Sequence, residues 1–142
     1  MILVDSSVLI DHFRGTINPQ TEQLKRWLSG QEGPPDIGVA DLVIFEVVRG
    51  FSTASAQARV RDLLLDLEVV EIGGLDNALQ AATLYQRLRQ SGRTVHSPID
   101  VLLASYCMTH GHTLLHRDAD FESLRTLGGL DTWPNPSPEH NA

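Results

Sequence analysis

A chain of 142 residues, of which 42% are hydrophobic and 20% are charged, is long enough to fold as one domain and too short for two. Its net charge of −7 argues against a protein that coats nucleic acid through non-specific phosphate contacts, but is compatible with a nuclease whose acidic residues bind metal. The only cysteine, Cys107, excludes an intrachain disulfide and a cysteine-based zinc site. With no secretion signal and no apolar run near membrane-spanning length, we expect a cytoplasmic protein without membrane contact.

In the first half of the chain, short apolar runs alternate with stretches whose apolar residues recur at helical spacing. The run 2–4 is predicted to be a strand, and Ser6 and Ser7 can cap the helix that continues from it towards Phe13. Glycine and proline at 33–35 form a breaker between a helix and the next strand. The other predicted elements here are a helix over 21–31, a strand over 37–39, a helix from 42 to about 51 capped by Asp41, and an amphipathic helix over 54–67.

The second half continues this alternation. Ser97 followed by Pro98 is a typical helix start, because serine caps a helix and proline fits its first position; Gly111 is predicted to end that helix. Residues 134–142 include three prolines and are predicted to form a disordered tail after a domain over 1–133. The other predicted elements are a strand over 69–72, a helix capped by Asp76 and ended by Gly92, a strand over 113–116 and a short helix to 127.

Strands that alternate with helices predict a parallel sheet with helices on both faces, because each parallel pair needs a crossover connection. The predicted fold is therefore a three-layer α/β/α sandwich with a central parallel sheet. In such sheets, functional sites gather beyond the carboxyl ends of the strands. Asp5 and Asp118 both lie just after predicted strands, so we expect them at this edge.

Four carboxylates stand beside or inside apolar runs, where an unpaired negative charge is costly. Asp5 directly follows the first predicted strand, and Asp118 follows the fourth. Glu46 lies within an apolar predicted helix, and Asp100 lies at the start of another predicted helix. A divalent cation would offset their repulsion, and ligation by oxygen atoms alone favours Mg²⁺ or Mn²⁺. Such a site activates water and stabilises the leaving oxygen of a phosphoryl substrate. The sequence therefore predicts a metal-dependent enzyme.

Each of these positions also has a purely structural explanation. Asp5 could cap the helix that it precedes, and Asp100 could stabilise the dipole of its helix from the first turn. Asp120 could cap the last helix, and Glu46 could pair with Arg49 at i, i+3 spacing. These alternatives stay open for each residue by itself, whereas the joint placement of the acids favours a metal site.

Other kinds of site find less support. The six histidines are scattered, which favours surface or turn positions over a zinc site, although His116 lies two residues before Asp118. A phosphatase with an aspartate after its first strand needs a second acid two residues on, where this chain has Ser7. A phospho-accepting receiver domain needs a lysine near its last strands, whereas the only lysine here is Lys25.

Four motifs, in order along nearly the whole chain, resemble the PIN-domain nucleases, and within them the VapC-type toxins of bacterial toxin–antitoxin pairs. The motifs cover 3–11, 45–50, 97–104 and 114–121 and read LVDSSVLID, FEVVRG, SPIDVLLA and LLHRDADF. What makes the resemblance specific is the combination of the acidic residues, the stretch from glutamate to arginine and glycine, and the Asp-x-Asp-Phe ending.

The resemblance implies a PIN-like α/β/α sandwich and cleavage of RNA that depends on Mg²⁺ or Mn²⁺. It also implies inhibition by a small cognate antitoxin protein, and assembly as a homodimer or as a complex with that antitoxin. Asp120 matches an accessory acidic position, and Ser7 matches a small polar position that could orient the first acid. The alternative is a PIN-like module that binds RNA or protein without catalysis. The catalytic and metal-binding quartet of the family would correspond to Asp5, Glu46, Asp100 and Asp118.

Overall fold

Strands and helices alternate along the chain in the computed structural model, which describes residues 1–30, 36–93 and 97–134. Each of the first four strands leads into at least one helix, as the hydrophobic pattern predicts. No helix within these ranges combines the length and the apolar character needed to cross a membrane. In chain order the elements are β1 (Ile2–Val4), α1 (Ser6–Phe13), α2 (Pro19–Leu28), β2 (Ile37–Ala40), α3 (Asp41–Arg49), α4 (Ala54–Leu65), β3 (Glu68–Val70), α5 (Leu75–Gln90), α6 (Pro98–His110), β4 (Thr113–Leu115), α7 (Asp120–Gly128) and β5 (Thr132–Trp133).

The five strands in the described ranges form one parallel sheet in the order β3-β2-β1-β4-β5. β1 lies at the centre, with Leu3 paired to Gly38 on one side and to Leu114 on the other. Leu3, Val4, Leu114 and Leu115 are completely buried, as expected for central strands covered on both faces by helices. The predicted α/β/α sandwich with a central parallel sheet is confirmed.

Helix caps set where several of these elements begin and end. Asn18 and Thr21 form a reciprocal capping box, so α2 begins two residues before the predicted position. At the other end of the chain, Gly111 ends α6 as predicted, because its φ of 71° is a left-handed conformation that glycine adopts without strain. Ser97 occupies the cap position of α6, although its side chain makes no capping bond.

Some predicted boundaries are wrong. The cap of α5 is Gly74 rather than Asp76, and α1 is capped by the Asp5 side chain rather than by a serine. Asp41 is the first residue of α3 rather than its cap, and β3 begins and ends earlier than predicted. The two-residue strand β5 was missed, because so short a segment has no measurable periodicity. The predicted breaker at 33–35 and positions 135–142 of the predicted tail lie outside the described residues.

Candidate metal centre

Asp5 lies where β1 ends and α1 begins, and it is only 2% exposed. Its Oδ2 atom accepts hydrogen bonds from the Ser7 backbone N–H at 3.1 Å and from the Ser7 hydroxyl at 2.6 Å. Its Oδ1 atom is buried without a hydrogen-bond partner among the described residues. Burial raises the pKa of Asp5 above its ordinary value, despite the opposing effect of the Ser7 bonds. The role of helix cap therefore explains one carboxylate oxygen and leaves the other without a function.

Asp100 lies in the first turn of α6 and is 6% exposed. Burial raises the pKa of its carboxyl to about 8, and the charges of Asp5, Asp118, Glu46 and Asp120 contribute to the rise in that order. A carboxylate that only stabilised the helix dipole would have its pKa lowered, because the dipole favours the charged form. The opposite direction indicates that this group needs a proton or a cation at neutral pH.

Asp118 lies in the loop between β4 and α7, and Asp120 is the first residue of α7. The Asp118 Oδ1 atom accepts a hydrogen bond from the Asp120 backbone N–H at 3.0 Å, which holds both residues in one tight turn. Asp100, Asp118 and Asp120 each offer one carboxylate oxygen, and these oxygens lie within 4.8 Å of one another. Asp120 is therefore part of the closest carboxylate group. The cap position of α7 belongs to Ala119, so the capping role considered for Asp120 is not observed.

Glu46 approaches the same cluster from α3. Burial raises the pKa of its carboxyl and the charge of Asp5 raises it further, against smaller opposing effects of Ser6 and Arg49. Its Oε1 atom is buried without a hydrogen-bond partner within the described ranges. The ion pair with Arg49 does not form among the described residues: that guanidinium lies over the Phe45 ring, 5.1 Å from its centroid. The salt-bridge explanation of Glu46 is therefore not favoured.

Ser7 connects the two strand ends that carry the acids. Its hydroxyl donates to Asp5 Oδ2 and accepts a hydrogen bond from the backbone N–H of Arg117 at 3.1 Å. Because Arg117 follows β4, one hydroxyl group joins the end of β1 to the loop that begins the Asp118 turn. The arginine side chain forms an ion pair with Asp11 at 3.3 Å, which ties this loop to α1 as well.

The scatter of the histidines favoured surface or turn positions for them as a group, but His116 is buried beside the site, in line with its position two residues before Asp118. The side chain is buried against Phe121, with ring centroids 4.9 Å apart, and its Nδ1 atom accepts a hydrogen bond from the Asp118 backbone N–H at 3.1 Å. Burial lowers the pKa of the imidazole, which favours the neutral form that this bond requires. Its position just after an apolar strand was the available signal.

The donor set of this site fits a divalent cation. Asp100, Asp118 and Asp120 form the closest group, while Asp5 and Glu46 lie outside it but act on Asp100 through their charges. The buried, unpartnered oxygens of Asp5 and Glu46 are the kind of ligand atoms that a cation would satisfy. Ligation by oxygen atoms alone suits hard cations, which can neutralise the cluster and bind a phosphate group at the same time.

Comparison with known proteins assigns this architecture to a family. The model of the PIN domain matches residues 2–127, a range that begins in β1 and ends within α7 and so includes all five acids. The chain belongs to the PIN domain family. The resemblance inferred from the four motifs is thereby confirmed, and the acids lie at the carboxyl edge of the PIN sheet.

Individual PIN-domain proteins resemble the chain over most of its length. Ribonuclease VapC11 from Mycobacterium tuberculosis is 28% identical over 130 residues, which cover 92% of this chain and 96% of that protein. VapBC2 from Rickettsia felis, solved with a DNA fragment from its promoter, has a TM-score of 0.72 and 18% identity, covering 93% of this chain and 97% of that one. VapBC-5 from Mycobacterium tuberculosis is a member of the VapBC family of toxin–antitoxin systems. Its structure has a TM-score of 0.62 and 22% identity, and the match covers 92% of this chain and 94% of that one. The two solved structures share the fold with this PIN domain.

Proposed function

We propose that this chain is an endoribonuclease that depends on Mg²⁺, with Mn²⁺ as a substitute, and that it is the toxin of a type II toxin–antitoxin system. The observation that carries the proposal is Asp100, which is almost fully buried among four other carboxylates at the carboxyl edge of a PIN sheet. A metal-binding role accounts for this crowding. The name of VapC11, a relative that covers 92% of the chain, supports RNA as the substrate.

In the proposed mechanism, Asp5, Asp100 and Asp118 would hold the principal cation, and Glu46 with Asp118 would hold a second cation or orient the attacking water. A cation held there would lower the pKa of a water and stabilise negative charge on the scissile phosphate. The supporting contacts are those already described. Ser7 fixes Asp5, and the backbone N–H of Asp120 fixes the Asp118 carboxylate, while the Asp120 carboxylate adds a further oxygen to the group.

Metal removal tests the proposed activity directly. The purified chain is expected to cut total RNA at defined positions in Mg²⁺, to stop when EDTA is added, and to resume when Mg²⁺ or Mn²⁺ is restored. Sequencing the new 5′ ends identifies the RNA and the cleavage position. Cleavage that continues in EDTA would exclude the metal mechanism. A chain that neither cleaves RNA nor binds Mn²⁺ in a titration would instead be an inert PIN-like module.

Two apolar surfaces support the proposed partners. One groove, of about 190 Å³, lies between α1, α2 and α4, and its lining includes Leu28 and Leu63, both about half exposed. The apolar face of an antitoxin helix would bury these two leucines. A second groove, of about 520 Å³, runs between α5 and α6 near the exposed Leu75 and Leu79, and we assign it to the homodimer. The VapBC toxin–antitoxin proteins that share this fold support an antitoxin as a partner, whereas the assignment of each groove rests on its exposed leucines.

Light scattering coupled to size-exclusion chromatography tests the antitoxin groove and the existence of the homodimer in one experiment. The chain alone is expected at twice its mass of 15.7 kDa, and adding the antitoxin is expected to increase that mass. Leu63→Asp is expected to remain a dimer and to lose the antitoxin, because a charge would enter the apolar groove. Antitoxin binding that is unchanged in Leu63→Asp would exclude this groove, and a monomer at micromolar concentration would exclude the dimer.

A further inference from the structure

The first two backbone N–H groups of the loop after His116 donate to side chains rather than to a neighbouring strand. The N–H of Arg117 donates to the Ser7 hydroxyl at 3.1 Å, and the N–H of Asp118 donates to His116 Nδ1 at 3.1 Å. A backbone amide that is withdrawn from water without an acceptor costs free energy, so these two bonds influence the path of the loop. The direction in which the loop presents the Asp118 carboxylate therefore depends on two side chains.

Packing alone does not explain why residue 116 is a histidine. The side chain is 7% exposed and contacts the completely buried Phe121, with ring centroids 4.9 Å apart. Burial of a polar ring is costly, and an aliphatic side chain would continue the apolar run of β4 without that cost. What the imidazole provides and an aliphatic side chain does not is the acceptor at Nδ1, which the Asp118 N–H occupies.

The imidazole adjoins the acidic cluster without being one of its ligands. Burial has the largest effect on the pKa of His116 and lowers it, whereas the charges of Asp5, Glu122 and Asp118 raise it, which shows that they lie within electrostatic reach. Because Nδ1 accepts a hydrogen bond, the proton of the neutral ring is assigned to Nε2, and neither nitrogen offers a lone pair to a cation. Any effect of His116 on a metal ion must therefore pass through another residue.

That residue is Asp118, whose position is restrained on both sides of its Cα atom. Its N–H is bonded to the imidazole, and its partly buried carboxylate accepts the Asp120 N–H through Oδ1 at 3.0 Å. With the backbone and one carboxylate oxygen held in this way, the second oxygen has little freedom of position. Restraint of this kind orients a metal ligand before the ion binds.

We infer that His116 is a positioning residue, which accepts the backbone N–H of Asp118 and so holds the Asp118 carboxylate where it can bind a divalent cation. The inference rests on the proposed function, because the restraint matters to activity only if Asp118 is a metal ligand. It adds to the acidic residues a neutral group that acts on the metal through a backbone amide. Groups that orient metal ligands typically contribute about 10- to 100-fold to metal affinity.

His116→Asn and His116→Leu separate the acceptor from the packing. The Oδ1 atom of asparagine lies two bonds from Cβ, as histidine Nδ1 does, whereas leucine has nearly the same shape as asparagine and no acceptor. Both variants lose the ring contact with Phe121, so the difference between them reports the hydrogen bond. His112→Leu is the matched control, because His112 lies at the other end of β4 and its buried Nδ1 has no hydrogen-bond partner in the described part of the chain.

Calorimetric titration of Mn²⁺ into the metal-free protein, without RNA, measures the effect. His116→Leu is expected to bind Mn²⁺ about 10- to 100-fold more weakly than wild type, while His116→Asn and His112→Leu stay close to wild type. Amide hydrogen exchange followed by NMR in EDTA is expected to show the Asp118 N–H protected in wild type and in His116→Asn, and exchanging faster in His116→Leu. If His116→Leu does not fold, His116→Gln replaces it, because the glutamine acceptor lies one bond farther from Cβ.

The outcomes distinguish this inference from the proposed function. If wild type binds Mn²⁺ and Asp100→Asn does not, the proposed metal site stands; equal affinity of His116→Leu and wild type would then exclude the positioning role alone. The role is also excluded if His116→Asn binds as weakly as His116→Leu, because the lost ring packing would be responsible. An unprotected Asp118 N–H in wild type would show that the bond does not form. If wild type binds no Mn²⁺, the proposed function fails and this inference fails with it.

Discussion

Replacing Asp5 with asparagine is expected to lower the rate of Mg²⁺-dependent RNA cleavage by at least about a hundredfold. Losing a group that merely supports a metal ligand typically costs roughly 10- to 100-fold, and Asp5 is proposed to be a ligand itself. Asparagine keeps the shape of the side chain, and its amide oxygen can still accept the two bonds that Ser7 donates. The variant therefore retains the helix cap and loses the charge. Single-turnover cleavage of a defined RNA measures the effect.

Asp41→Asn is the matched control. Asp41 also follows a strand at the carboxyl edge of the sheet and begins a helix, and its Oδ1 atom accepts backbone bonds from Leu42 and Ile72 at 2.9 and 3.0 Å. It is not among the carboxylates whose charges act on Asp100. We expect Asp41→Asn to cleave RNA at nearly the wild-type rate. If Asp5→Asn did the same, Asp5 would be a helix cap and no part of the mechanism.

Replacing Asp100 with asparagine is expected to stabilise the metal-free protein increasingly as the pH rises. Burial raises the pKa of this carboxyl from 3.8 to about 8, so the folded chain retains a proton that the unfolded chain releases. Below pH 3.8 this group contributes its full stabilisation to the folded chain. That stabilisation is lost as the pH rises to the pKa of Asp100 in the folded chain, and it changes no further at higher pH. Asparagine does not titrate. In EDTA, the melting temperature of Asp100→Asn relative to wild type is expected to increase by roughly 10 °C between pH 4.5 and pH 8.5.

At pH 8, Mn²⁺ is expected to make the wild-type protein more stable than Asp100→Asn, the reverse of the order in EDTA. Binding to the folded state stabilises the wild-type protein, and its affinity should increase with pH because the carboxyl must lose its proton. Asp76→Asn is the control, since Asp76 is an exposed acid in the first turn of α5 and tests the helix dipole by itself. A difference between wild type and Asp100→Asn that stayed constant across this pH range would show that Asp100 is an ordinary helix-end carboxylate.

The sheet was predictable because its central strands are almost continuous apolar runs. β1 and β4 are buried on both faces, so their sequences show unbroken hydrophobicity, and the strong boundaries at Pro98 and Gly111 locate α6 between them. The start of α5 was not predictable in the same way, because Gly74 and Asp76 are both acceptable caps and tertiary packing decides between them.

For the site, the sequence indicated which edge of the sheet the acids share but not how closely they approach. Whether Asp120 joins the cluster depends on the tight turn in which Asp118 accepts its backbone N–H, and no spacing rule specifies that turn. Likewise, Arg49 can reach either Glu46 at i, i+3 or Phe45 at i, i+4. The described structure shows it over the ring, a choice that depends on the three-dimensional surroundings of α3.

The central position of β1 has a consequence for how the chain is made. Asp5 is synthesised before the segment that it contacts: its backbone N–H bonds to the Leu115 carbonyl at 2.9 Å, and the hydroxyl of the nearby Ser7 accepts a bond from the Arg117 N–H. A nascent polypeptide on the ribosome therefore cannot assemble the carboxylate cluster until about residue 120 has emerged. For a toxin of the proposed kind, translation itself imposes an interval in which the unfinished product is harmless to the cell that makes it.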